Sequence, residues 1–381
     1  MHAPSRPRHA RGDGRLAELD LLRFVAALAV LSFHYFIAFN SVWGARPAEL
    51  FPLLAPVAGL GILGVELFFV ISGFVILMTV WGKGLGGFAR SRLVRLYPAY
   101  WLSLAATAGL YGLLGAKPGD PKLSVGEYLV NATMAQRAFG VTDASGVYWS
   151  LWAELRFYLL MAVLVLIGVT YNRVLAFMGV WLAAAAAVEW LPILYDVQLP
   201  KLLGEIVMPR YAPYFVAGMA LFLIHRYGSA LLPWLFTVAA WALSLHSALE
   251  RVHGRIKAVG FKNMPVTDTA VIVTVTLIFL AMALVALGLI RMPSSRVLTA
   301  LGGTTYPLYL FHSIVAIALI PVLTGHLPPW LTALVVTLAA LILSYVVYSC
   351  AERPIQQLLK PRRTPQTPPE AFIHPQKAAV P

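Results

Sequence analysis

Of 381 residues, 60% are hydrophobic and only 12% charged, and the mean hydropathy is +0.77. A soluble domain carries about 25% charged residues, so this composition excludes one and implies an all-α integral membrane protein. The net charge of +13 fits basic cytoplasmic loops better than nucleic-acid binding, and the single Cys350 excludes an intrachain disulfide framework and a thiolate metal cluster.

Residues 1–15 are polar and basic and are expected to form a cytoplasmic tail. The apolar run behind them has spanning length and no small-residue cleavage site, so an uncleaved first span is expected. Ten runs are long enough to cross a bilayer: 17–39, 57–80, 94–115, 148–169, 173–192, 209–227, 229–248, 269–290, 304–323 and 330–351. With the N-terminus inside, 17 Lys and Arg fall on the cytoplasmic side and 10 on the outer side, while Arg23 and Arg156 lie within spans. This bias predicts one bundle of about ten transmembrane helices with both termini cytoplasmic. Arg251, Arg255, Lys257 and Lys262 run against it, clustering on the expected outer side. Residues 116–147 form the longest outer loop, with a short helix expected around 124–136. The proline-rich stretch from Lys360 is expected to be disordered. The expected organisation is therefore a tail over 1–15, a membrane domain over 16–356 and a second tail over 357–381.

The first span carries Arg23 near its start and His34 deep inside, with only apolar residues from Phe24 to Leu31 between them. Eleven positions apart, they share nearly one helix face about 16 Å long. Two explanations stand here: a snorkelling arginine with a hydrogen-bonded core histidine, or two groups lining a reactant's path. In the second span Glu66 lies among aromatics at a depth comparable with His34, either as its partner or as a structural tie between helices. Gly64, Ser72 and Gly73 on the same span permit close helix packing. Arg90, Arg92 and Arg95 then gather at a cytoplasmic helix entrance. Guanidinium groups there suit phosphate, and equally suit topology or lipid headgroups.

The fourth span opens with Ser150 between Trp149 and Trp152, two residues that fit an interfacial aromatic belt, followed by Glu154 and Arg156. Two apart, those charges do not share a face, so each requires its own partner on another helix. In the ninth span Tyr309 and His312 are three apart and do share one. The tenth span closes on Glu352, Arg353 and Pro354.

Taken in order, these segments resemble the acyltransferase-3 family of membrane O-acyltransferases. The resemblance runs over roughly residues 16–356. It rests on Leu19-Asp20 with Arg23 and His34, Gly64 to Phe74, Arg92-Leu93-Val94-Arg95, Trp149-Ser150-Leu151 to Glu154, Tyr306 to His312, and Glu352-Arg353-Pro354. Ser91 stands where many members have arginine, Glu66 where aspartate is commoner, and Pro307 where a small residue is usual. The resemblance implies a ten-helix domain that moves an acyl group, usually acetyl, from cytoplasmic acyl-CoA to a hydroxyl, often of a surface sugar. It makes acyl-CoA a co-substrate rather than a tightly bound cofactor, and requires no metal. The implied partners are acyl-CoA, a carbohydrate, glycolipid or glycosylated metabolite, and membrane lipid, with no nucleic acid. The implied location is a bacterial inner membrane.

On this basis His34 is expected to be the general base or an acyl relay, assisted by Glu66 or Glu154. Arg23, Arg90, Arg92, Arg95 and Arg353 are assigned to the CoA phosphates, and Trp149, Ser150, Tyr309 and His312 to substrate. A transporter or flippase would also place charges in the membrane, but would need no cytoplasmic phosphate site. A purely structural protein would tolerate loss of His34.

Overall fold

A computed structural model describes residues 16–115, 121–260 and 266–359, and every regular element among them is helical. The expected tail over 1–15, Lys117, Lys262 and the proline-rich stretch from Lys360 lie outside the described residues. Ten long helices follow one another: α1 (Ala17–Phe33), α2 (Gly64–Val80), α3 (Leu85–Leu114), α4 (Tyr148–Ile167), α5 (Tyr171–Tyr195), α6 (Ala212–Tyr227), α7 (Leu231–Ala258), α8 (Asp268–Leu287), α9 (Arg296–Leu323) and α10 (Pro329–Val347). Nine spans among the described residues are long and apolar enough to cross a membrane. The other long helix, α3, is less apolar: Arg90, Arg92 and Arg95 precede Tyr97, Pro98, Tyr100 and Trp101. It packs against α9 within the same bundle. The chain is an all-α membrane protein.

The centre of the bundle is the pair α2 and α6. From Ala212 to Ile224 every residue of α6 is buried, as expected of a helix apolar on all sides. Glycines fix how closely the two approach. A Cβ on Gly73 would run into the Phe215 carbonyl, and one on Gly218 into the Val70 carbonyl, so the backbones cross almost in contact. Gly64 likewise lets α2 approach the Ala26 carbonyl of α1. Ser72, expected to serve close packing too, instead donates a hydrogen bond to Glu154 at 3.1 Å.

Several boundaries depart from expectation: α3 starts at Leu85, nine residues before the expected 94, and α9 at Arg296, eight before the expected 304. Helix α7 continues to Ala258, ten residues past the span expected to end at 248. Arg251 and Arg255 are therefore one helical turn apart rather than in a loop. A short helix, Arg353–Leu358, starts within the domain expected to end at 356 and runs on into the tail expected from 357. In the outer loop the helix is Val125–Asn131, started by Ser124 in a capping box with Glu127, and a separate 3₁₀ turn covers Gln136–Phe139.

The sides of the membrane expected from the charge bias can be tested directly. Gly86 and Gly126 are both exposed, and a Cβ on Gly86 meets nothing within 4 Å. In a Cys350→Ser background, Gly126→Cys should react with an impermeant thiol reagent on intact cells, and Gly86→Cys only after permeabilisation. The reverse pattern would invert the molecule.

Candidate active site

At the end of α1 the helix widens. His34–Ala38 forms a π-helical turn, closed by the Phe39 amide donating to the His34 carbonyl at 3.0 Å. Such turns insert an extra residue and free a carbonyl. The Tyr35 carbonyl accepts from the Trp43 indole at 2.9 Å, and the Tyr35 hydroxyl donates to the His312 carbonyl at 2.9 Å. The widened turn is thus tied to α9, which brings the two histidines together. His34 Nδ1 lies 3.3 Å from His312 Nε2, with ring centroids 5.0 Å apart.

The proton positions follow from the partners. His34 Nδ1 is 2.9 Å from the Val30 carbonyl, and His312 Nδ1 is 3.1 Å from the Leu308 carbonyl. A carbonyl only accepts, so the Nδ1 of each neutral ring carries its hydrogen. His312 Nε2 is then an acceptor, facing both His34 Nδ1–H and the Ser313 hydroxyl at 3.3 Å. His34 is left with the lone pair of Nε2. His34 lines a cavity of about 1100 Å³, together with Glu66, Trp149, Tyr211, Arg251 and Arg255.

The expected carboxylate partners of His34 are elsewhere. Glu66 lines the same cavity but pairs with Arg251, Oε1 to guanidinium 3.1 Å. Its buried Oε2 has no hydrogen-bond partner. Arg251 stacks over Trp149, 4.4 Å from the ring centroid. Glu154 accepts from Ser72 at 3.1 Å and from Tyr158 at 2.5 Å. It belongs to a second, smaller pocket of about 80 Å³, lined also by Arg23, Arg92, Arg95 and Tyr306. The Tyr306 hydroxyl is buried without a partner. The imidazole of His34 is therefore held by a carbonyl and a second histidine, not by a carboxylate. Arg156, as expected, finds its own partner, the Glu205 carboxylate at 2.6 Å.

Of the five arginines expected together, three converge. Arg23, Arg92 and Arg95 line the inner pocket. Arg23 also lies 3.6 Å from the buried Asp20. Arg90 instead donates to the Leu359 carbonyl at 2.9 Å on the exposed surface. Arg353 lines a separate groove with Arg296, Tyr348 and Gln356. Arg90 lies off the helix face shared by Arg92 and Arg95, and Arg353 belongs to the short C-terminal helix, where it faces a groove against the start of α9.

Tyr309 and Val65 line both the outer cavity and the inner pocket. The Tyr309 hydroxyl contacts Ser150 Oγ at 2.5 Å and donates to the Val147 carbonyl at 3.1 Å. Tyr309 and Ser150 thus form a partition. Trp149 lines the outer cavity only, and His312 lines neither compartment but stands behind His34.

Arg251, Arg255, Ser72, Tyr158, Tyr306 and Ser313 were not expected at the site. The only sign of the first two was their breach of the charge bias, since arginines turned into a cavity do not report on membrane side. Comparison with curated proteins and with solved structures gives no match. A family model described as an acyltransferase domain matches residues 16–349, which takes in α1 to α10 and both compartments, and the chain belongs to the acyltransferase-3 family of membrane acyltransferases.

Proposed function

We propose that the protein transfers an acyl group, acetyl in the simplest case, from cytoplasmic acyl-CoA to a hydroxyl of a carbohydrate, glycolipid or glycosylated metabolite at the outer cavity. The observation that carries this reading is the pair of compartments that meet at Tyr309, one basic and narrow, the other wide and lined by His34. Arg23, Arg92 and Arg95 suit the phosphates of CoA, because guanidinium binds phosphate bidentately and keeps its charge. At about 80 Å³ the inner pocket is far below the ~300 Å³ of a small-molecule site. Donor binding therefore requires the helices to part and the Tyr309 ring to move so that the neutral arm can approach His34.

The chemistry then balances without a further reactant. The acceptor oxygen attacks the thioester carbonyl carbon while its proton passes to His34 Nε2. The resulting imidazolium donates from Nδ1 toward the Val30 carbonyl and His312 Nε2, which take the place of a carboxylate. The tetrahedral intermediate collapses, the C–S bond breaks, and the departing thiolate takes the proton back from Nε2. An ester and free CoA remain.

The test is label transfer. Inverted membrane vesicles containing the protein, given CoA carrying a labelled acetyl group, should move the label into an ester on a hydroxylated acceptor and release one free thiol per ester. Label that crosses the membrane as intact acetyl-CoA, or no thiol release, would defeat the proposal in favour of transport.

A further inference from the structure

Charge is unevenly distributed around the outer cavity. Arg251 is paired with Glu66 at 3.1 Å, Arg137 with Asp143 at 2.6 Å and Arg210 with Glu250 at 3.4 Å. Glu205, also in the lining, is paired with Arg156 at 2.6 Å. Arg255 lines the same cavity and makes no ion pair among the described residues. One cation is therefore left over. It stands one turn beyond Arg251 on α7, whose NH1 group is held 3.1 Å from Glu66 Oε1, and it lines the cavity together with His34. Arg255 thus shares the lining with the Arg251–Glu66 pair. The Glu66 side chain lines the same cavity, with its Oε2 buried and unpartnered.

We infer that the outer cavity takes an anionic acceptor, a hydroxylated molecule carrying a carboxylate or phosphate that Arg255, seconded by Arg251, binds while its hydroxyl is presented to His34. The inference rests on the reading of this cavity as the acceptor site and names the class of acceptor. A neutral sugar would leave Arg255 without a counter-charge, whereas an acidic one completes the last pair. An exposed pair in high dielectric stabilises little. Among the described residues, four carboxylates and four arginines line the cavity as a whole, so the attraction is local to Arg255. Clefts lined by one sign of charge raise arrival rates by about 10–10³-fold, and a single cation works at the low end of that range. The cation at the mouth thus acts chiefly in capture and orientation.

The test does not require the acceptor to be known. Gly254 lines the cavity beside Arg255, and a Cβ there meets nothing within 4 Å. In the full-length chain with Cys350→Ser, Gly254→Cys is labelled with a sulfonate-bearing and with a trimethylammonium-bearing methanethiosulfonate. Each rate is divided by that for free mercaptoethanol. The anionic reagent is expected to react faster by about tenfold, at the lower end of what charged clefts give. Arg255→Gln should bring the ratio close to one, Arg255→Lys should retain it, and Lys257→Gln, outside the lining, should leave it unchanged. Glucuronate should slow the labelling more than glucose does, and the difference should vanish in Arg255→Gln. Equal rates for the two reagents, a ratio that survives Arg255→Gln, equal protection by both sugars, or protection by neither would each overturn the inference. Failure of the catalytic reading shows separately, as acyl transfer that survives loss of His34 while the labelling ratio stands.

Discussion

His34→Gln is expected to abolish acyl transfer while leaving abundance and membrane insertion close to wild type. Glutamine fills a similar volume and can still donate to the Val30 carbonyl, but it offers no basic nitrogen to the cavity. A positioned general base contributes about 10²–10⁴-fold, so kcat should fall by at least that range with little change in KM for acyl-CoA. His312→Ala should do less, about 10–100-fold, the usual scale for a group that orients a functional imidazole. His312 lines neither compartment; its loss frees His34 Nδ1 from one of its two acceptors, lowering kcat rather than raising either KM. Label transfer and thiol release at matched expression measure both. A His34→Gln variant that still transfers would remove His34 as base. A His312→Ala variant that raises acceptor KM alone would return His312 to substrate binding.

The spans were legible in the sequence because burial in lipid forces long apolar runs. The meeting of His34 with His312 was not, because it joins helices far apart in the sequence at a π turn, and no local residue pattern marks such a pairing or an inserted residue. Assigning His34 a carboxylate partner was reasonable from depth: Glu66 does reach the same cavity. What depth could not reveal is that α7 runs on to Ala258 and brings Arg251 to Glu66 first. An arginine outbids a neutral imidazole for a buried carboxylate, since an unpaired buried charge costs several kcal/mol. Glu154 was drawn away similarly, by two hydroxyls, Ser72 and Tyr158. The arginines sorted by helix geometry. Arg92 and Arg95, three apart, share a face, as spacing predicts, and both line the inner pocket. Arg90 and Arg353 were grouped with them by charge and membrane side alone, and charge does not fix direction.

That division yields the sharpest expectation for the donor. If Arg92 and Arg95 hold CoA phosphates, each Arg→Ala variant should raise KM for acyl-CoA about tenfold or more, because hydrogen bonds to charged groups contribute about 1.5–3 kcal/mol each. The double variant should lose binding by about 100-fold. Lysine should rescue each position only in part, keeping the charge but not the bidentate fork. Arg353→Ala, in its separate groove, should stay near wild type, against the grouping by charge. Arg92 also lies 5.9 Å from the Tyr158 ring centroid, so its alanine variant removes packing as well as charge. Thermal stability of the purified variants separates the two effects, and Arg92→Lys preserves most of the packing. Binding of a non-hydrolysable acetyl-CoA analogue to folded protein decides the matter. Unchanged affinity in Arg92→Ala/Arg95→Ala would move the phosphates out of the inner pocket, and a loss in Arg353→Ala would place them in the groove between α9 and the short C-terminal helix.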